Sequence, residues 1–522
     1  MAPPLTHDGP LRPPAGRALV FVGFMGAGKT TAARRLARVL GLEVTDADAV
    51  IAEHIGMPID RCFAEQGEAA FRAVEAELVG EMLERADGGV YSLGGGALHS
   101  ERIRDALRAR HITVLLDVDV NVAWERAAGR GRPLARDPQE FRDLYVRRRP
   151  LYMAAADVVL PADRRDRIDD ALPSILALAE APLGTRLLWA SSASGDYPVF
   201  VGRGLLDQPL SPVPGQGFLV TDDQVGPRYA DRLGELAARI EIPAGETHKS
   251  LATAERVWIE LADRGMTQSD HVVALGGGVV GDLAGFVAAT YQRGVPFVQV
   301  PTTLVAQVDS AYGGKTGVDL PNGKNYVGAY HQPSSVVADV ATLETLPREE
   351  AAAGYAEVLK TALIAGGDLW ERVRRGDDPD ADVIFACART KLAVVAMDER
   401  DAGLRQVLNL GHTVGHAIET VTGYARYRHG EAVGLGLLAA LRLSGQDALR
   451  SEVAALLAAR GLPTQLDEGV DPDAILVATA RDKKRRSGEA VPFVLLDAPG
   501  AARPGCQVDD GEVRAAVREL SS

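Results

Sequence analysis

Gly23-Phe24-Met25-Gly26-Ala27-Gly28-Lys29-Thr30-Thr31 stands between an apolar run, RALVFVGF (residues 17–24), and an amphipathic stretch, TTAARRLARVL (residues 30–40). A strand that ends in glycines and reopens as a helix is the setting of a phosphate-binding loop. Glycines let successive backbone N–H groups curl around phosphate oxygens, and the helix N-terminus adds positive potential. Gly26, Ala27, Gly28, Lys29, Thr30 and Thr31 are therefore the expected ATP contacts, with Lys29 meeting the β and γ oxygens and Thr30 on Mg²⁺. Asp46-Ala47-Asp48 follows at the end of the next strand, where Asp46 is placed to assist Mg²⁺ and Asp48 to contact an acceptor hydroxyl.

Working outward, residues 17–180 continue the alternation: ITVLLDV (112–118) reads as a strand and RIDDALPSILALAE (167–180) as a closing helix. Alternation of this kind predicts a parallel sheet with helices on both faces, an α/β phosphate-loop kinase domain. APLGT (181–185) reads as a linker, set at 181–186. A second α/β domain with a nucleotide site is expected over 187–345, where FLVTD, HVVALGGG and PFVQVPTT are strand ends, and a mainly helical domain over 346–522. The Pro-rich start, residues 1–16, reads as a disordered tail without the apolar core of a signal peptide.

The 522 residues carry a net charge of −14, which argues against a coat for nucleic acid, and no apolar run is long enough to span a membrane. Three scattered cysteines, Cys62, Cys387 and Cys506, suit a reducing cytoplasm better than a disulfide framework. Only eight of the 57 basic residues are lysine, and nearly all of them fall inside motifs found on other grounds.

In the first half a small anionic acceptor is indicated by Arg72 in GEAAFR, the glycine triple Gly94–Gly96 and the arginines of RGRPLAR and RRRPLY. The ordered set GFMGAGKTT, DAD, GEAAFR, LGGG, RPL and RRPLY resembles shikimate kinase across nearly all of 17–180. The resemblance implies shikimate on Asp48, Arg72, Gly95 and Arg148, the last with Arg149 as the neighbouring register. It implies Asp48 as base, Arg132 as a lid arginine at the ATP phosphates and Arg165 near the adenine. Gluconate kinases share the loop without this order.

In the second half, LGGGVVGD (275–282) lets a pyrophosphate approach backbone N–H groups, although it is not the usual dinucleotide fingerprint. Glu357 and Lys360 share a helix face at i, i+3, His412 and His416 another at i, i+4, and His429 follows in RHGEAV. Two histidines and a glutamate with an open fourth position form a catalytic zinc arrangement. Scarce lysines gathered around such a site point to a small phosphorylated acid as substrate.

GETHK, GGGVVGD, YQRGVPFVQVPTTLVAQVDSAYGGKTGVD, NGKNYVGAYHQP, LPREEAAAGYAEVLK, NLGHTVGHAIE and RHGEAV together resemble 3-dehydroquinate synthase from about 187 to 500. That family cyclises 3-deoxy-arabino-heptulosonate 7-phosphate. Transient oxidation by NAD⁺ acidifies a C–H so that phosphate can leave, hydride is returned, and an aldol closes the ring, so the net reaction is a lyase. The resemblance implies zinc (or cobalt) on Glu357, His412 and His429 and a proton relay at His416. It implies the substrate phosphate on Arg293, Lys315, Asn325 and Lys483 or Lys484, its carboxylate on Lys391 and Arg405, a ring hydroxyl on Lys360, and Asp309 orienting the set. NAD⁺ would touch Asp222, Glu246, Lys249, Gly278, Val279, Val280, Gly281, Asp282, Thr302, Thr303, Lys324 and Thr345. A homodimer is implied, with Arg293 able to reach across its interface.

The expectation is thus a bifunctional enzyme of the shikimate pathway. A related cyclase acting on sedoheptulose 7-phosphate is the alternative, and Lys391 and Arg405 argue against it because that substrate has no carboxylate. A degenerate scaffolding module is disfavoured because both sets of motif residues are present.

Overall fold

The computed structural model describes residues 16–128, 134–163, 167–208, 213–321, 323–485 and 492–521, the backbone alone over 480–485. The tail expected over 1–16 lies outside the described residues except for Gly16. The chain divides into two compact units, Met1–Trp189 with Pro198–Pro212, and Ala190–Tyr197 with Val213–Ser522.

The first unit contains β1 (Leu19–Val22), β2 (Val44–Asp46), β3 (Val90–Ser92), β4 (Ile112–Asp117), β5 (Val158–Pro161), β6 (Arg186–Ala190) and most of β7 (Tyr197–Gly202), ordered β2-β3-β1-β4-β5-β6-β7. Every pair from β2 to β6 is parallel. Strands buried on both faces read as continuous apolar runs rather than as alternation, which is the pattern of LVFV in β1. The helix Lys29–Leu40 starts from Gly28 at φ 92°, a left-handed conformation that glycine adopts without steric cost. The long helix Ile59–Arg85 breaks at Gly67, within the GEAAFR motif.

The boundary differs from the expected one. Residues 181–185 form a turn closed by the Thr185 hydroxyl on the Pro182 carbonyl (2.6 Å), and Arg186 already opens β6. Leu187 and Leu188 pair with Val158 and Val159 of β5, and the Arg186 guanidinium donates to the carbonyls of Ala156 (3.1 Å) and Met153 (2.7 Å). An unpaired β5 would leave a row of open backbone groups, and the first strand after the turn fills it.

The second unit contains β8 (Gly217–Asp222), β9 (Ala238–Ile242), β10 (His271–Gly276), β11 (Phe297–Pro301), a hairpin of β12 (Lys315–Leu320) and β13 (Gly323–Tyr330), and β14 (Ser335–Asp339). Its sheet runs β14-β11-β10-β8-β9, all parallel. Its core gathers Val220, Ile240, Ala274 and Phe297 with the inner faces of the helices Leu251–Asp263 and Gly278–Thr290. From Arg348 the chain is mainly helical, as expected, apart from a terminal hairpin of β15 (Phe493–Leu496) and β16 (Ala502–Cys506). The division expected at 345 does not separate compact units, because the helical part clusters with the sheet. The helix His429–Leu443 is buried over most of its length.

Candidate active sites

In the first unit Gly26–Thr31, Asp48, Arg72, Gly95 and Arg148 line one cavity of about 1210 Å³. The Lys29 ammonium donates to the carbonyls of Gly23 (2.9 Å) and Phe24 (3.2 Å), which keeps it folded over the loop. Thr30 Oγ1 donates to Asp46 Oδ2 (3.0 Å) and lies 3.2 Å from Ser92 Oγ, so hydroxyl and carboxylate oxygens stand together, the donor chemistry that Mg²⁺ prefers. The other Asp46 oxygen caps the following helix by accepting the Asp48 N–H (3.1 Å).

Facing the loop, Arg72 pairs with Glu75 (2.5 Å) and Glu68 (3.1 Å). Burial raises the Glu75 carboxyl above its ordinary value against the pull of Arg72. Arg148 is only 3% exposed, and its Nη1 donates to the Gly95 carbonyl (3.2 Å), which also accepts the Tyr152 hydroxyl (2.5 Å). Burial lowers the pKa of Arg148 and pushes the Tyr152 phenol up to about 12. Arg149 turns to Asp117 instead (2.9 Å), so the two registers of the arginine run have separate destinations. Arg132 and Arg165 lie outside the described residues.

In the second unit a cavity of about 2220 Å³ opens where β8 and β10 end and the helical part begins. Glu357, His412 and His429 come from three different helices. Their ligand atoms lie within 4.8 Å of one another. Glycines allow this convergence: a Cβ on Gly415 would sit 3.0 Å from the Ala432 carbonyl oxygen, so the two histidine-bearing helices meet backbone to backbone. His412 Nδ1 donates to the Leu410 carbonyl (3.2 Å), leaving Nε2 toward Glu357 (3.5 Å). His429 Nε2 also faces Glu357 (3.4 Å).

Glu357 is fully buried beside the Lys360 ammonium, yet neither of its oxygens accepts an aligned hydrogen bond among the described residues. Burial would raise this carboxyl, but Lys360 and the two histidines hold it well below the carboxylate range. Burial and the Lys360 charge lower His412 to about 3; burial opposes charging of His429, which its two carboxylates nevertheless raise to about 10. A dry carboxylate with under-used oxygens and two ring nitrogens fits a divalent cation.

Asp309 sits on a single π-helical turn, Ala306–Ser310, at the wall of this cavity. Its side chain meets Lys391 (2.6 Å) and Lys360 (3.9 Å); although burial raises its pKa, the two ammonium groups bring it down to about 2.

Comparison with known proteins fits both cavities. The shikimate kinase family model matches residues 25–177, and those of the 3-dehydroquinate synthase N-terminal and C-terminal regions match 239–353 and 354–485. The 3-dehydroquinate synthase of Desulforamulus reducens is 45% identical over 324 residues, covering 57% of this chain and 90% of that protein. The chain belongs to the 3-dehydroquinate synthase family, with a shikimate kinase domain ahead of it. The 3-dehydroquinate synthase of Symbiobacterium thermophilum is 46% identical over 331 residues, 58% of this chain and 92% of that protein. Among solved structures, ValA, a 2-epi-5-epi-valiolone synthase from Streptomyces hygroscopicus with NAD⁺ and Zn²⁺ bound, aligns with a TM-score of 0.57 at 27% identity, over 62% of this chain and 96% of its own.

The synthase cavity takes in most of the expected residues but not all. Asp222, Glu246, Lys249, Gly278, Val279, Asp282, Thr303 and Lys324 line it, as do Lys315, Asn325, Lys391, Asp309, His412, His416 and His429. Val280 is packed in the core, and Gly281 lies against Gln299, where a Cβ would come within 2.8 Å of its side chain. Thr302 and Thr345 are away from the lining; Thr345 Oγ1 bonds the Tyr229 hydroxyl (2.5 Å). Arg405 is buried, with its guanidinium on the carbonyls of Glu399 (2.5 Å) and Gly313 (3.0 Å). Exposed Arg293 also lies off the lining, and the Lys483 and Lys484 side chains lie outside the described residues.

Lys249 and Lys315 already have partners: Lys249 Nζ reaches Asp282 Oδ2 and Asn325 Oδ1, each at 2.6 Å, and Lys315 pairs with Asp401 (2.5 Å). Sequence reading passed over Asn409 and Glu419, which also line the synthase cavity, and Ser92 and Glu75 in the kinase cavity. Asn409 and Glu419 are the first and last residues of NLGHTVGHAIE, where the histidines drew the attention.

Proposed function

We propose that the kinase domain transfers the ATP γ-phosphoryl group to the 3-hydroxyl of shikimate, and that the synthase unit converts 3-deoxy-arabino-heptulosonate 7-phosphate to 3-dehydroquinate and phosphate. The single observation that carries the second activity is the meeting of Glu357, His412 and His429, the two histidines lining the cavity that also holds Gly278 and Lys391.

In the kinase, Lys29 and the loop N–H groups from Gly26 to Thr31 hold the ATP phosphates, with Arg132 and Arg165 over the nucleotide. Thr30 and Asp46 hold Mg²⁺, which when bound screens the phosphate charge. Arg72 and Arg148 anchor the shikimate carboxylate against the Gly95 backbone, and Asp48 accepts the hydroxyl proton.

In the synthase, Glu357, His412 and His429 would hold Zn²⁺ or Co²⁺, and the turn at Gly278 with Asp222, Glu246, Asp282, Thr303 and Lys324 would hold NAD⁺. When bound, the metal polarises the substrate oxygens and the dinucleotide takes up and returns hydride. His416, one turn from His412, moves the hydroxyl proton. Lys360 and Lys391, fixed by Asp309, hold a ring hydroxyl and the carboxylate, while Lys315, Asn325 and Lys483 or Lys484 surround the phosphate. Arg405 ties down the Gly313 carbonyl, two residues before Lys315.

We infer a homodimer with Arg293 serving the partner's cavity; Arg293 (φ 70°) follows Gln292 (φ 47°), two left-handed non-glycine residues in succession, and its exposed side chain lies off its own cavity. A cytoplasmic location suits the free cysteines and the family's small-molecule substrates. No helix among the described residues is long and apolar enough to cross a membrane.

The test is a paired assay of the metal- and NAD⁺-loaded protein with the heptulosonate phosphate and with sedoheptulose 7-phosphate, followed by ATP and shikimate. Dehydroquinate from the first substrate alone supports the proposal; turnover of the second alone refutes it.

A further inference from the structure

The two histidines of the metal set are oriented by different means. His412 presents Nε2 to Glu357 because its Nδ1 is taken by the Leu410 carbonyl (3.2 Å). His429 presents Nε2 to the same carboxylate, but at its Nδ1 stands a second carboxylate, Glu419 Oε2 (3.4 Å). Glu419 is 2% exposed, and its other oxygen accepts from the Lys324 ammonium (3.2 Å), which reaches over from β13. Lys324 is itself held by Glu246 (3.7 Å) and by the Tyr424 ring, 4.9 Å from its centroid.

We propose that Glu419 is a positioning residue for the metal centre: it fixes His429 as the tautomer with hydrogen on Nδ1, so that Nε2 points its lone pair at the ion held with Glu357 and His412. A carboxylate behind a ligating imidazole sets the ring orientation and makes the nitrogen a stronger donor. The proposal rests on Glu357, His412 and His429 being the ligands.

A competing geometry exists, because His416, Glu419 and His429 also bring ligand atoms within 4.8 Å of one another. The hydrogen bonds choose between the two. The two Glu419 oxygens are divided between His429 and Lys324, whereas Glu357 leaves Lys360 to one oxygen and turns the other to the Nε2 atoms of both His412 (3.5 Å) and His429 (3.4 Å).

The experiment measures Zn²⁺ affinity and stoichiometry of the full chain by competition with a chromophoric chelator, in wild type, Glu419→Gln, Glu419→Ala and His412→Ala. One ion per chain is expected in wild type. Glu419→Ala should weaken it by about 10- to 100-fold, and Glu419→Gln by less, since an amide oxygen can still accept from Nδ1–H. Should Glu419→Ala fail to fold, Glu419→Gln carries the test, read with ring ¹⁵N spectra of the histidines: wild type holds His429 as a single Nδ1–H tautomer and the variant mixes both. Wild-type affinity together with a wild-type ring spectrum in either glutamate variant overturns the proposal. So does a stoichiometry of two that falls to one in Glu419→Ala, since Glu419 would then be a ligand. Wild-type Zn²⁺ binding by His412→Ala would instead overturn the underlying ligand assignment.

Discussion

Replacing Gly96 by alanine tests the acceptor pocket of the kinase with little disturbance of its fold. Gly96 has φ −110° and ψ −5°, which alanine adopts readily, so the backbone contributes no strain. A Cβ at this position would overlap the Arg72 guanidinium and has no closer neighbour. Arg72 must therefore swing away from the cavity, where Glu68 on its own helix can keep it. If Arg72 binds the shikimate carboxylate, the loss is one charge-assisted contact, about 1.5–3 kcal/mol. At 1.4 kcal/mol per decade this raises the shikimate KM by about 10- to 150-fold. The ATP KM should stay within about twofold, because the phosphate loop is untouched. Gly94→Ala provides the contrast: its Cβ would lie 2.6 Å from Asp48 Oδ1 and 3.0 Å from Glu75 Oε1, so it should lower kcat rather than raise KM. Coupled-enzyme kinetics over a shikimate series read both variants. A Gly96→Ala enzyme with wild-type shikimate KM would refute the placement of Arg72 on the acceptor.

Other outcomes follow from the same geometry. Arg148→Ala should weaken shikimate binding strongly, while Arg149→Ala should leave KM unchanged and cost at most about 1 kcal/mol of stability, as expected for a half-exposed pair with Asp117; equal KM effects would contradict the separation of the two side chains. Lys249→Met frees the Asn325 amide, so the KM for the heptulosonate phosphate should rise about tenfold, one charged hydrogen bond, and the change should vanish in an Asn325→Ala background; additive effects would show that Lys249 acts independently of Asn325. Buried His111 accepts the Ala18 N–H on Nδ1 (3.2 Å) and donates from Nε2 to Leu83 (2.8 Å), and burial depresses its pKa. Its neutral form stabilises the first unit above its unfolded pKa of about 6.5, and that contribution is lost as the pH falls through the lower folded value. The urea midpoint for loss of kinase activity should drop between pH 7 and pH 5, and drop less in His111→Gln; parallel losses would contradict this.

The sequence made legible whatever depends on a short stretch of chain. The phosphate loop requires glycines, a lysine and a hydroxyl within nine residues, and Gly23 to Thr31 supply them without help from elsewhere. The i, i+4 spacing of His412 and His416 fixes their shared face before any tertiary contact forms. Partnerships made across the fold were not legible. Nothing in RLLWA (186–190) says that it pairs with β5 rather than opening a separate domain. Nothing local shows that Val280 faces the core while Val279 faces the cavity, or that the Arg405 guanidinium is used up by two carbonyls. Glu419 was within the recognised motif, but its role depends on Lys324, 95 positions away.

The pairing of β6 with β5 has a consequence for the order of synthesis. An N-terminal domain ordinarily folds as a unit while the rest of the chain is still being made. Here the last helix of the kinase ends at Glu180, but the strand that covers β5 is complete only when the chain has been extended to Ala190. At 5–20 residues per second those ten residues keep the β5 edge open for roughly half a second to two seconds after the helix is made. During that interval nascent chains on neighbouring ribosomes present matching open edges to one another, so slow translation or a stalled codon in this stretch should favour edge-to-edge association of unfinished chains.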